Sequence, residues 1–461
     1  MTESREEECD TLIEKPEAEE EEEPLWSFMY LGFVGNLCFN YVLQEAKYFE
    51  DVFGKGFGGQ CSFLYALANT CGQLALIFVG SSFSFASRIV VSCAVLSAAL
   101  VCIPILTYFH YGFELYVVYG LIVVMGLMVA VLASAGFSLT GLCSNQIRLY
   151  FTFGTCLAGL TAWPLMLLAQ QVLQHLFHLS PVRITSGVPS KAEGINCLIV
   201  IGTASACFLL TIPFFLLSLG KTKAVRQAVA TVMKRKLEVL TGETKQETVW
   251  PTVVAVLPMA VAVWNIMFVT FLALPDQMVQ WTPGSEKLKM DNENTYQDAI
   301  IFIFNLFDVL ARLVAMKIVT VDAPTVMWGS FLRWALLPLF FLSTARRMYL
   351  ENDIFKICLQ AVFGGTYGYF LTCGMMLGPS QPGIKKERAD TAGSIMSFAL
   401  VNGILVGAML SGLLRDIPKT YLNFRPFEMT CQYSPASMIA CTDAVAQEAA
   451  SAMLRGSTIT P

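Results

Sequence analysis

Eleven apolar stretches of roughly 20 residues fill this chain of 461 residues, and that pattern leaves few folds open. A helix rises 1.5 Å per residue, so about 20 apolar residues cross the ~30 Å hydrocarbon core of a bilayer. The stretches lie at 25–46, 60–81, 88–108, 115–142, 149–175, 195–219, 250–274, 298–319, 326–345, 354–377 and 391–414. In hydrocarbon every backbone N–H and C=O must be paired within the protein, and continuous helices achieve this segment by segment. The expected class is an all-α polytopic membrane protein with eleven transmembrane helices.

Composition agrees, with 55% apolar and 14% charged residues, where a soluble domain carries about 25% charged. The net charge of −5 is local: Met1 to Glu23 holds twelve carboxylates against Arg5 and Lys15. Such a segment, poor in aromatics, reads as a disordered acidic tail over 1–24. Its charge is the reverse of a signal peptide's n-region, so the first apolar helix is expected to act as its own insertion signal. Within it Glu8, Leu12 and Ile13 fit an acidic dileucine sorting pattern, which leaves an endolysosomal membrane open beside the default, the plasma membrane.

Most of the 14 cysteines fall inside spans, where a thiol behaves as a small hydrophobe. Cys431 and Cys441 lie in the polar C-terminal segment and could pair if that segment is outside the cytosol. No nucleophile-and-base set and no cluster of metal-ligand spacing stands out. We therefore expect no enzymatic chemistry, cofactor or metal, and no nucleic-acid partner; the expected partners are the lipid bilayer and a small solute.

The clearest internal linker is Lys221 to Thr248, with seven basic residues, which the positive-inside tendency places in the cytoplasm. It divides the chain into a six-helix bundle over 25–220, a basic loop over 221–249 and a five-helix bundle over 250–415. A C-terminal tail over 416–461 follows. With the loop inside, the N-terminus is cytoplasmic and the C-terminus outside, and the basic group Lys385, Lys386 and Arg388 also falls inside.

Polar residues inside spans are costly, about 2.5–3.5 kcal/mol for a charge at the helix centre on insertion scales, and so mark polar paths. In the first span Asn36, Asn40 and Gln44 recur at four-residue spacing on one stripe. Asn69 and Gln73 do the same in the second, and Ser394, Ser397 and Asn402 lie in the eleventh. The eighth carries Asn305, Asp308 and Arg312 within a narrow sector, the last two as an i, i+4 ion pair. A merely structural helix would gain by using apolar residues there, and the set of guanidinium fork, carboxylate and amide suits a neutral, hydrogen-bonding solute. Glu45 and Lys47, at the outer end of the first span, read as interfacial, with proton coupling through Glu45 left open. Arg333, in the ninth span, has no acid at i±4.

The eighth span, Phe304-Asn305-Leu306-Phe307-Asp308-Val309-Leu310-Ala311-Arg312, resembles the F-N-x-F-D-x-x-G-R signature of equilibrative nucleoside transporters, with Ala311 in place of Gly. Gly368-Tyr369, Gly378-Pro379 and Asp390-Thr391-Ala392-Gly393-Ser394-Ile395-Met396 resemble that family's tenth span, following loop and eleventh span. Leu31-Gly32 through Asn40 to Tyr48-Phe49 fits its first span, and Arg88 matches a recurrent basic position.

The resemblance implies a 6+5 fold related to the major facilitator architecture, working by alternating access with the solute between two bundles. It also implies transport of nucleosides, with a purine preference, for purine salvage, in facilitative or proton-coupled form. By position Arg312 and Asp308 would bind or gate the ribose hydroxyls with support from Asn305. Asn40, Phe39 and Leu274 would line the cavity, and Arg88, Asn36, Gln44 and Asn402 would be gating or structural polar groups. The fourth span departs from the family, since Thr140 stands where a base-reading Gln is usual; by position Thr140 would take that place at the solute, although a hydroxyl lacks the amide's two-point contact. Nucleobase transport is therefore an alternative, as are a sugar carrier and a non-transporting receptor or scaffold on the same fold.

Overall fold

The computed structural model describes residues 24–54, 57–109, 114–177, 191–241, 248–274, 281, 293–317, 321–344 and 352–414. The acidic segment 1–23, the tail with Cys431 and Cys441, and the side chains of Gln44 and Lys47 lie outside what is described.

The described chain is helical almost throughout. In order the helices are α1 (Leu25–Gln44), α2 (Ala46–Phe53), α3 (Phe57–Val79), α4 (Phe85–Phe109), α5 (Glu114–Leu142), α6 (Asn145–Phe177) and α7 (Lys191–Leu217). There follow α8 (Lys223–Leu240), α9 (Trp250–Ala273), α10 (Glu293–Lys317), α11 (Ala323–Leu332), α12 (Leu337–Thr344), α13 (Asp353–Leu377) and α14 (Ala389–Leu414). Ten described segments are long and apolar enough to cross a membrane. The first expected span, α1, is helical over 20 residues but is not among those ten.

Two apolar cores divide the molecule. One joins α1 through α8, centred on residues such as Phe28, Leu96, Val200 and Phe208, none of which is exposed. The other side of the molecule packs α9 through α14 around Val263, Ile266, Phe340 and Phe363. Between Leu217 and Trp250 the chain forms α8, whose basic residues make it a surface helix rather than a span.

Two elements depart from the expected pattern. The ninth span is broken: α11 ends at Leu332, a 3₁₀ turn runs over Arg333–Leu336, and α12 resumes. The tighter turn sits where the Arg333 side chain is drawn inward. Glu45, expected at the interface, is instead 5% exposed at the junction of α1 and α2.

Candidate functional site

A cavity of about 190 Å³ lies between the two cores, with α1, α3, α5 and α6 on one side and α9, α10, α13 and α14 on the other. Its polar lining includes Asn36, Asn40, Asn69, Asn305, Asp308 and Arg312; Phe39, Tyr65 and Tyr367 supply rings. Of the sequence-predicted site residues, Asn36, Phe39, Asn40, Leu274, Asn305, Asp308 and Arg312 are brought together here.

The α6/α10 seam forms one wall, and three contacts run along it in antiparallel order. Arg312 donates through Nη1 to Thr152 O (2.8 Å) and Thr155 Oγ1 (3.3 Å). Asn305 Nδ2 donates to Gly159 O (3.3 Å), and the Trp163 and Phe302 rings meet at 5.1 Å. Gly159 is required by this approach, because a Cβ there would lie 2.9 Å from Asn305 Oδ1 and 3.3 Å from Asn40 Oδ1.

Arg312 and Asp308 are 2% and 3% exposed. Arg312 Nε donates to Asp308 Oδ1 at 2.7 Å and Nη2 to Oδ2 at 3.2 Å, a two-point pair within one helix. With Nη1 committed to α6, four of the five guanidinium N–H groups are used. The fork is thus turned toward its own carboxylate and the opposite bundle. It ties α10 to α6 across the cavity edge.

Acceptors, by contrast, remain. Asn40 Nδ2 donates to Asn36 O (2.8 Å) and Asn36 Nδ2 to Thr155 O (2.9 Å). Each amide nitrogen of Asn40 and Asn305 is therefore held by a carbonyl, leaving the Oδ1 atoms of the two residues converging over Gly159.

A second buried guanidinium stands behind the site. Arg333, 1% exposed, donates to Ile266 O, Thr270 Oγ1, Phe363 O and Thr366 Oγ1. It stacks on Phe363 at 4.5 Å. Arg312 and Arg333 each lie 5.7 Å from the Tyr367 ring centroid, on the ring that lines the cavity. The partners of Arg333 are carbonyls, hydroxyls and ring faces drawn from two other helices, α9 and α13. Spacing along one helix could not reveal such a set.

The remaining predicted residues sit elsewhere. Thr140 is 2% exposed and donates to Gly136 O (2.9 Å), outside the cavity lining. Asn402 accepts from Trp264 Nε1 (2.9 Å), pinning α14 to α9. Arg88, 6% exposed, lies against the Phe85 ring at the start of α4.

At the end of the molecule that carries α8, the bundles close on each other. Ser138 and Ser134 meet Ser394 at 2.7 and 3.3 Å. Backbone approaches backbone where Gly141 faces Ala389 and Gly393 faces Phe137. Arg148 bridges from α6 to Met376 O (3.1 Å) and Ser380 Oγ (2.6 Å). From the linker helix, Arg235 reaches both oxygens of Asp390 at 3.0 and 3.1 Å and the carbonyl of Glu387 at 2.6 Å. Neither arginine was singled out by sequence, because each takes its meaning from a helix more than 150 residues away.

Two helical bundles flanking a polar cavity, with ten described segments long and apolar enough to cross a bilayer, define a polytopic two-bundle fold of the membrane-protein class. The fold matches the major facilitator superfamily proton:xylose symporter XylE bound to 6-bromo-6-deoxy-D-glucose, with a TM-score of 0.56 at 12% identity over 86% of this chain and 96% of that one. A double-tryptophan mutant of XylE gives 0.57 at 13% identity over 87% and 90%. Residues 220–416 match the family model described as nucleoside transporter. Nucleoside transporter 1.1 of Leishmania donovani is 27% identical over 145 residues, 30% of this chain and 29% of that protein. Equilibrative nucleoside transporter 1 of Homo sapiens is 33% identical over 129 residues, 25% and 26%. The matched stretches thus span under a third of those relatives' length. Over residues 220–416, somewhat under half of its length, the chain is similar to the nucleoside transporter family.

Proposed function

We propose that this protein carries nucleosides across a membrane by alternating access, the solute resting in the cavity between a bundle over 25–220 and one over 250–415. The observation that carries this reading is the convergence of the Asn40 and Asn305 carboxamide oxygens beside the Asp308–Arg312 pair. A ribose offers hydroxyl donors to such acceptors, and the cavity supplies ring faces from Phe39, Tyr65 and Tyr367 for a base. Arg312 acts mainly by holding Asp308 and by bridging to α6, so solute binding and release are coupled to that bridge.

The basic linker with α8 faces the cytoplasm in this reading, and the eleven-helix count includes α1. The plasma membrane is the proposed site, and proton coupling is part of the test. Radiolabelled adenosine, uridine and hypoxanthine are offered at two external pH values to cells lacking their own carriers, with Asn305→Ala as the matched control. Saturable nucleoside uptake by the parent, at least tenfold weaker in Asn305→Ala at equal surface expression, is expected. Uptake of hypoxanthine alone would replace nucleosides with nucleobases as the solute; no uptake of any would end the carrier reading.

A further inference from the structure

Among the described residues, α3 and α14, which also wall the cavity, carry buried polar atoms that have no hydrogen-bond partner. Asn69 and Ser397 both line the cavity and are 6% and 0% exposed. Asn69 Oδ1 and Ser397 Oγ have no hydrogen-bond partner among the described residues. One turn along α3, Gln73 is fully buried with both carboxamide atoms unpaired. On α14, Ser394 meets Ser138 and Ser134, and Asn402 takes the Trp264 indole. Unpaired buried atoms occur elsewhere in the molecule too, but of the residues that carry them only Asn69 and Ser397 line this cavity.

Buried polar groups are rarely left unpaired, because each forfeits its hydration without return. Two on the wall of one cavity point to a partner that enters with the solute. If the ribose hydroxyls meet Asn40, Asn305 and Asp308 at the seam, the base projects toward α3 and α14. There Tyr65, one turn before Asn69 and stacked on Phe39 at 5.2 Å, offers a ring.

The chemistry of the two orphans selects among bases. A carboxamide oxygen with no donor calls for an N–H, and a serine hydroxyl can donate to a ring nitrogen. An exocyclic amine next to a ring acceptor provides both, as in the pairing of an asparagine with adenine N6 and N7. Inosine and uridine place a carbonyl where the amine would be, which sets oxygen against oxygen.

We propose that Asn69 and Ser397 form a base-reading subsite that accepts an exocyclic amine at Asn69 Oδ1 and donates from Ser397 Oγ to the adjacent ring nitrogen, favouring adenosine and cytidine over inosine and uridine. This rests on the carrier reading above. Gln73 extends the polar stripe behind Asn69 and does not line the cavity.

The test is competition for radiolabelled adenosine uptake by unlabelled inosine, cytidine and uridine, in the full-length protein and in Asn69→Leu, Asn69→Ser and Ser397→Ala at measured surface expression. In the parent, adenosine should outcompete inosine about tenfold, one hydrogen bond's difference of roughly 1.4 kcal/mol, and cytidine should outcompete uridine similarly. Asn69→Leu and Asn69→Ser should bring each pair within about twofold, and Ser397→Ala should weaken adenosine and cytidine more than inosine and uridine. Equal competition by all four in the parent, or equal loss for all four in every variant, would overturn the subsite while leaving nucleoside transport standing. Absence of nucleoside uptake by the surface-expressed parent would overturn the carrier reading and the subsite with it.

Discussion

Replacing Asp308 by alanine removes the carboxylate between two buried guanidiniums. Arg312 loses both of its bonds to Asp308, and breaking one side of a buried pair costs about 3–5 kcal/mol. Arg312 and Arg333 each lie 5.7 Å from the Tyr367 centroid, so they are at most about 11 Å apart. Without Asp308 their repulsion is at least about 1.5 kcal/mol at an effective dielectric near 20. Arg312→Ala leaves Asp308 with Arg333 still behind Tyr367, so it should be the milder single change.

The double change Asp308→Leu with Arg312→Met removes both charges and keeps volume, and should fall within about 1–2 kcal/mol of the parent. Thermal midpoints of purified protein in one detergent, at one scan rate, read these differences. A loss of ~3 kcal/mol corresponds to roughly 6–12 °C for a bundle of 150–250 residues. The expected order is parent, then the double variant close below, then Arg312→Ala, then Asp308→Ala, with the double variant inactive in uptake. A double variant as unstable as Asp308→Ala would refute the charge argument, and normal uptake by it would refute a role for the pair in transport.

Two further outcomes follow from the seam and the closure. Gly159→Ala should push the Asn305 and Asn40 carboxamides apart, raising KM for nucleosides about tenfold at unchanged surface expression; an unchanged KM would show that those oxygens do not meet the solute. Arg235→Ala should release Asp390 from the linker helix. For a partly exposed pair worth about 1 kcal/mol, amide hydrogen exchange over residues 386–394 should quicken about fivefold. Unaltered exchange would mean that the α8 contact does not hold the closed end.

Periodicity exposed much of this. Apolar runs located the helices, and the Asn305, Asp308, Arg312 spacing located the cavity wall, because residues on one helical face share an environment whatever lies across from them. What stayed hidden depends on pairing between distant helices. Arg333 finds carbonyls on α9 and α13, and Glu45 reads from sequence as interfacial because a charge at the end of a span usually is. The packing at the α1/α2 junction buries it. Thr140, placed by the resemblance among cavity groups, turns its hydroxyl to its own helix, as threonines inside spans readily do.

The two ends of the inter-bundle seam are held by different physics. Where α8 docks, closure rests on the Arg235–Asp390 pair, serine hydroxyls and glycine-mediated backbone approach. At the other end of the α6/α10 seam the bundles meet through the apolar Trp163–Phe302 ring contact. A partly exposed ion pair weakens as salt shortens the Debye length, ~8 Å at physiological ionic strength, whereas apolar contact strengthens on warming from low temperature. Ionic strength on the α8 side and temperature on the other are thus separate handles on how the two bundles meet, and neither handle touches the cavity between them.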